Sequence, residues 1–267
     1  MKKNDTDDGC KLYVYIILDV LFFIFGILYM IGDTSHLNIT VLRFAKPIPI
    51  WIMMAELLTV KNSHRSIILL VVGLAFGSLG DILLELQSFS FALFAAGALS
   101  FLLGHLAYVT AFLQICEDTA EFKVSIREVL QRKALYIFLW LLFLTFSFWS
   151  IGNIMKGLTN DSIMNYILPI YGAFLVLLVV SSLFFLFTTS KIGGFALRSG
   201  ILFAVGSFVF YASDSFLAHG KFNAGYQDRV SDSANAAILM VTYYIAQYML
   251  GKGGLSVAIY FRTIPAA

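Results

Sequence analysis

Two aspartates interrupt long apolar runs: Asp81, within Gly73 to Gln87, and Asp214, within Tyr211-Ala212-Ser213-Asp214-Ser215. A charged side chain at the centre of a lone membrane helix costs roughly 2.5–3.5 kcal/mol on insertion scales, so each acid is expected to face the inside of a bundle. Gly73, Gly77, Asp81 and Glu85 recur every four residues, which puts two small residues and two acids on one helical face. Gly206, Phe210 and Asp214 repeat that arrangement, and glycines there let a second helix approach an acid closely. His105 is the only histidine well inside an apolar run, beside the stripe Gly97, Phe101, Gly104 and Tyr108. Tyr243 and Gln247 share a further polar face in Tyr243-Tyr244-Ile245-Ala246-Gln247. Each of these also has a plainer reading. The histidine, tyrosine and glutamine can serve as hydrogen-bonding glue between helices, and Asp214 can sit at the lipid–water boundary.

Two carboxylates in one dry site can divide general acid from general base, one holding a proton while the other stays ionised. The same parts fit an acid/base hydrolase, a proton-coupled transporter or lipid-binding membrane protein, and an intramembrane aspartyl protease. The protease would want GxGD, whereas this chain reads Ser78-Leu79-Gly80-Asp81. A zinc hydrolase would need several histidine ligands, but His36, His64 and His219 fall in loops or at span ends, so no metal is expected. Ser78, Ser213 and Ser215 lack a His–acid relay. The apolar setting of Asp81 suits a proton donor, while hydroxyls flanking Asp214 suit a base or cation stabiliser.

The elements that must position these groups are membrane helices. The chain is 60% apolar and 16% aromatic with only 13% charged residues, against about a quarter charged in soluble proteins. Apolar windows recur along the whole length, which predicts an all-α membrane protein forming one domain over residues 1–267. Eight transmembrane helices are expected, near 12–32, 44–60, 67–86, 89–115, 134–151, 166–188, 195–217 and 235–250. The first is too long for a signal-peptide core and reads as a retained helix. Lys46-Pro47 opens the second, where Lys46 either snorkels to the headgroups or meets an anionic ligand, and Glu56 near its other end reads as solvated. The third and fourth should pack as a hairpin across a very short connection. The polar stretch from Cys116 to Lys133 reads as a surface loop or short helix. The fifth and sixth spans, whose only ionisable side chains are tyrosines, read as scaffold, with Pro169 in the first turn of the sixth. Lysines and arginines concentrate on the side that carries both termini, which the positive-inside rule makes cytosolic. A net charge of +2 spread among loops gives no basis for nucleic-acid binding, and Cys10 and Cys116 form no CxxC pair.

Lys46-Pro47, Gly80-Asp81, Gly104-His105 through Tyr108, Ser213-Asp214 and Tyr243-Tyr244-Ala246-Gln247 follow one another on successive spans. In that order and spacing they resemble the lysoplasmalogenase family, also called YhhN-like, across nearly the whole chain. The resemblance implies hydrolysis of the vinyl ether bond of alkenyl lysophosphatidylethanolamine or -choline to a fatty aldehyde and the glycerophospho-base, without a cofactor, in the endoplasmic reticulum or another endomembrane. It puts catalysis on Asp81 and Asp214. Lys46, Glu85, His105, Tyr108, Tyr211, Ser213, Tyr243, Tyr244 and Gln247 become the expected substrate pocket, with Lys46 the cation for the glycerophosphate.

Overall fold

The computed structural model describes residues 5–34, 45–60, 64–87, 89–118, 126–155, 164–189 and 194–263. An apolar run in lipid has only its own backbone to hydrogen-bond with, which favours helix, and among the described residues there is no strand. In chain order the helices are α1 (Asp5–Thr34), α2 (Ile48–Leu58), α3 (Arg65–Glu85), α4 (Phe91–Asp118), α5 (Ile126–Met155), α6 (Met164–Thr189), α7 (Gly194–Phe222), α8 (Ala224–Gln227) and α9 (Asp232–Thr263).

Six of them, α1, α3, α4, α5, α6 and α7, are long and apolar enough to cross a membrane, so this is a multi-pass membrane protein. The second and eighth expected spans are not among the six, the second because it is too short and the eighth because it is not apolar enough. Helix α2 has 11 residues, about 16 Å of helix against a hydrocarbon core of about 30 Å. Helix α9 has 32 residues; instead of stopping at Leu250 it carries Lys252 within it and runs on to Thr263. A hydropathy reading trims a helix at such a lysine, whereas the backbone continues because the lysine finds partners.

Those partners correct the reading of Glu56. Its side chain is 1% exposed and pairs with Lys252, which also lies 2.7 Å from Asp19 of α1. The three residues tie α1, α2 and α9 together. The second half of the polar stretch after Cys116 is not surface loop but the first turns of α5. Residues 119–125 of that stretch and His36 lie outside the described residues. Pro169 sits inside α6 rather than in its first turn.

Helices α3 and α4 form the expected hairpin, and the crossing is tight because glycines line it. A methyl group on Gly104 would stand 3.0 Å from the Gly73 carbonyl oxygen, and Ser100 donates to the Phe76 carbonyl at 2.6 Å. Helix α9 packs along α7 and reaches α1, α2 and α3, while α6 bridges α4, α5 and α7. Helices α1 and α5 are peripheral and turn Ile16, Ile27, Phe138 and Leu142 outward. Two contacts register one end of the bundle: Tyr29 of α1 donates to Glu85 at 2.8 Å, and Lys221 of α7 bonds Gln87 in the α3–α4 turn. At the other end, His64 stacks on Phe261 with ring centroids 4.6 Å apart. The two aspartates lie between these ends, nearer the one that holds the α3–α4 turn.

Candidate active site

Both aspartates are buried, Asp81 at 1% exposure and Asp214 at 8%, so both face the inside of the bundle. Each is met by a tyrosine from another helix. Tyr243 of α9 donates to Asp81 Oδ2 at 2.6 Å, and Tyr171 of α6 donates to Asp214 Oδ2 at 2.6 Å. Both are at the short end of the O–H···O range.

Around Asp81 the structure gathers most of the expected pocket. Lys46 Nζ stands 3.5 Å from Asp81 Oδ1 and 3.5 Å from Glu85 Oε1. It neither snorkels nor stands free for a ligand, because the chain just before α2 lays it across the acidic face of α3. The Lys46 carbonyl accepts from Tyr244 at 2.9 Å. Tyr108 of α4 donates to Gln247 Oε1 at 2.9 Å, and Gln247 and Tyr243 together abut Gly77, where a methyl group would come within 3.0 Å of the amide nitrogen. One face of α3 thus carries Gly73 against Tyr108 of α4, Gly77 against α9, and acids where Lys46 and the tyrosines reach it. Tyr29, on the face of α1 turned to Glu85, joins this cluster with no periodicity in the sequence to mark it.

Asp214 has different company. His105 Nε2 is 3.9 Å from Asp214 Oδ2, beyond hydrogen-bond reach. Neither ring nitrogen has a hydrogen-bond partner among the described residues. The ring is held edge-on by Phe210 and Tyr171, with centroids at 4.9 and 5.7 Å. The hydroxyls expected to serve Asp214 go elsewhere: Ser213 donates to the Leu239 carbonyl at 3.2 Å, and Ser215 to the Tyr211 carbonyl at 2.7 Å. Both premises for the division of roles therefore change. Asp81 is in a polar setting with a cation, and Asp214 takes its hydrogen bond from α6, which reads as scaffold in the sequence.

Asp214 also lines a small, partly open and largely apolar cavity of about 50 Å³ with Leu84, Phe101, Ile167, Leu168, Tyr171 and Leu217 among its walls. Asp81 is not part of that wall. Phe101 stands between, packed on Gly80, where a methyl group would lie 2.7 Å from its ring, and edge-on to Tyr243 at 6.2 Å. On its other side Asp214 borders a smaller crevice with Tyr211, Ser150 and Ser215, which is where the expected pocket residue Tyr211 lies. Among the described residues no group of histidine, cysteine or carboxylate side chains is arranged to hold a metal ion.

The arrangement offers a carboxylate at an apolar cavity, backed by a second, charge-compensated carboxylate behind an aromatic wall. Comparison with curated proteins and with solved structures gave no match. The family model that does match covers residues 41–254, a stretch holding both aspartates, their tyrosines, His105 and Lys46. The chain belongs to the YhhN family, the family of lysoplasmalogenase-like proteins.

Proposed function

We propose that this protein hydrolyses the vinyl ether bond of alkenyl lysophospholipids, with Asp214 as the proton donor and Asp81 as a fixed counter-charge. The observation that carries the proposal is the setting of Asp214: among the described residues it is the one carboxylate in the wall of a small, partly open and otherwise largely apolar cavity, which suits a reactive group carried at the head of a hydrocarbon chain. Protonated Asp214 gives its proton to the alkene carbon remote from the ether oxygen, leaving an oxocarbenium ion. Asp81, held by Lys46 and Tyr243, opposes the developing positive charge from behind Phe101. Water adds to the cationic carbon and returns a proton to the Asp214 carboxylate, giving a hemiacetal. Breaking the bond between that carbon and the glycerol oxygen releases the fatty aldehyde, and the hemiacetal hydroxyl proton ends on the glycerol oxygen. The unengaged ring nitrogens of His105, beside Asp214, supply a place to hold the attacking water.

Family membership supports this reading, and the proton route explains why two acids but no serine relay are needed. The test is aldehyde release by the purified protein from an alkenyl lysophospholipid and from its alkyl ether counterpart, each with and without chelator. The alkenyl lipid should be cleaved in both conditions and the alkyl lipid in neither, because an alkyl ether has no alkene to protonate. Equal turnover of the two lipids would remove the mechanism.

A further inference from the structure

The cavity wall contributed by α7 consists of Asp214, Leu217, Ala218 and Phe222, one helical face read at steps of three and four. Lys221 continues that face. It lies seven residues beyond Asp214, about 10.5 Å along the axis, and helical side chains lean toward the N-terminus, here back toward the cavity. Its ammonium sits over the ring of Phe94, 4.1 Å from the centroid, and Phe94 is itself in the cavity wall, edge-on to Phe222 at 5.9 Å. Its hydrogen-bond partner is the neutral Gln87 amide oxygen in the α3–α4 turn. Among the described residues no carboxylate pairs with Lys221, whereas Lys46 is shared between two. Next to the Phe94 and Phe222 wall of the Asp214 cavity there is thus an exposed ammonium held by an amide and an aromatic face, with no carboxylate partner among the described residues.

We infer that Lys221, together with Gln87, is the phosphate subsite for a single-chain phospholipid whose first chain carbons meet Asp214. This rests on the hydrolase reading for the identity of the bond at Asp214, and the spacing agrees with it. In an alkenyl lysophospholipid the protonated carbon and the phosphorus are separated by about seven bonds, on the order of 8–9 Å when extended. A lysine two turns along the helix and leaning back spans that distance. The assignment moves the phosphate from the Lys46 side of the aromatic wall to the Asp214 side, where the hydrocarbon lies against Phe101, Ile167 and Leu217.

Binding can be read without turnover. Detergent-solubilised full-length protein is titrated with a 1-O-alkyl lysophosphatidylethanolamine, with the phosphate-free 1-O-alkylglycerol, and with chain-free glycerophosphoethanolamine and inorganic phosphate. Wild type should prefer the phosphorylated lipid to the alkylglycerol by at least about tenfold. The two soluble phosphates should not compete at matched concentration, which identifies the lipid headgroup as the source of the recognised group. Lys221→Met should erase the preference while leaving alkylglycerol affinity unchanged, which also reports that the variant is folded; Lys221→Arg should keep it. If Lys221→Met does not fold, Lys221→Gln answers the same question. A preference that survives loss of the ammonium, or inorganic phosphate binding as tightly as the lipid, overturns the subsite. Preference through Lys221 in a protein that cleaves no alkenyl lipid would sink the hydrolase reading and keep the subsite. Cleavage of alkenyl lysophospholipid at the same kcat/KM by wild type and Lys221→Met would do the reverse.

Discussion

Replacing Tyr171 by Phe removes one oxygen and leaves everything else about the cavity in place. The ring still packs against His105 and still lines the wall, but Asp214 Oδ2 loses the 2.6 Å hydrogen bond that is its only one to a described residue. Leaving a buried acceptor unsatisfied costs about 1–3 kcal/mol. At 1.36 kcal/mol per decade, the expected fall in kcat is about ten- to hundredfold if the bond positions Asp214 for proton delivery. The assay is the initial rate of aldehyde release at saturating alkenyl lysophospholipid, run beside a thermal melt of the detergent-solubilised protein. KM should change little, since the phenol hydroxyl points at the acid and not at the lipid chain. Tyr171→Phe turning over at the wild-type rate with an unchanged melting temperature would refute the placing of Asp214 by α6, and with it the role given to that helix.

Asp214→Asn should abolish measurable turnover, because an amide cannot give up the catalytic proton; Asp81→Asn should slow it by about 10²–10⁴. Equal residual rates in the two would argue that the acids act as an interchangeable pair. Gly80→Ala places a methyl group 2.7 Å from the Phe101 ring, so the ring must move into the cavity. The expected cost is about 1–3 kcal/mol of stability and a raised KM, measured on the same rate and melting assays. Lys252→Met strips the cation from Glu56 and Asp19 and should destabilise the protein by about 3–5 kcal/mol. The Asp214 cavity does not touch these residues, so the fraction that stays folded should cleave lipid at the wild-type kcat.

The acids were legible because a carboxylate in an apolar run stands out against its surroundings, and the bundle interior is where such a group can be compensated. The α3–α4 hairpin was legible for a similar reason: two glycine-bearing apolar runs joined by a very short connection have few other ways to pack. Tyr171 was not. A tyrosine among leucines and valines looks the same whether its hydroxyl meets an acid, a carbonyl or the interface, and only the placing of α6 against α7 decides it. Glu56 was misread for want of a partner. Near the end of its span it looked solvated, and its meeting with Lys252 depends on α9 returning to lie against α2. The division into a compensated acid and a cavity acid was equally out of reach, since it follows from which side of Phe101 each carboxylate falls on.

The ion cluster of Asp19, Glu56 and Lys252 also bears on the order in which the molecule is assembled. Helix α1 is made first and carries Asp19 into an apolar span. The lysine that meets it at 2.7 Å lies in the last helix, nearly at the other end of the chain. Throughout synthesis the acids of α1 and α2 wait without that cation, while Tyr29 of α1 can already reach Glu85 of α3. A chain cut short before Lys252 would lose more than the end of α9, because the ionic latch that closes the N-terminal side of the bundle would never form.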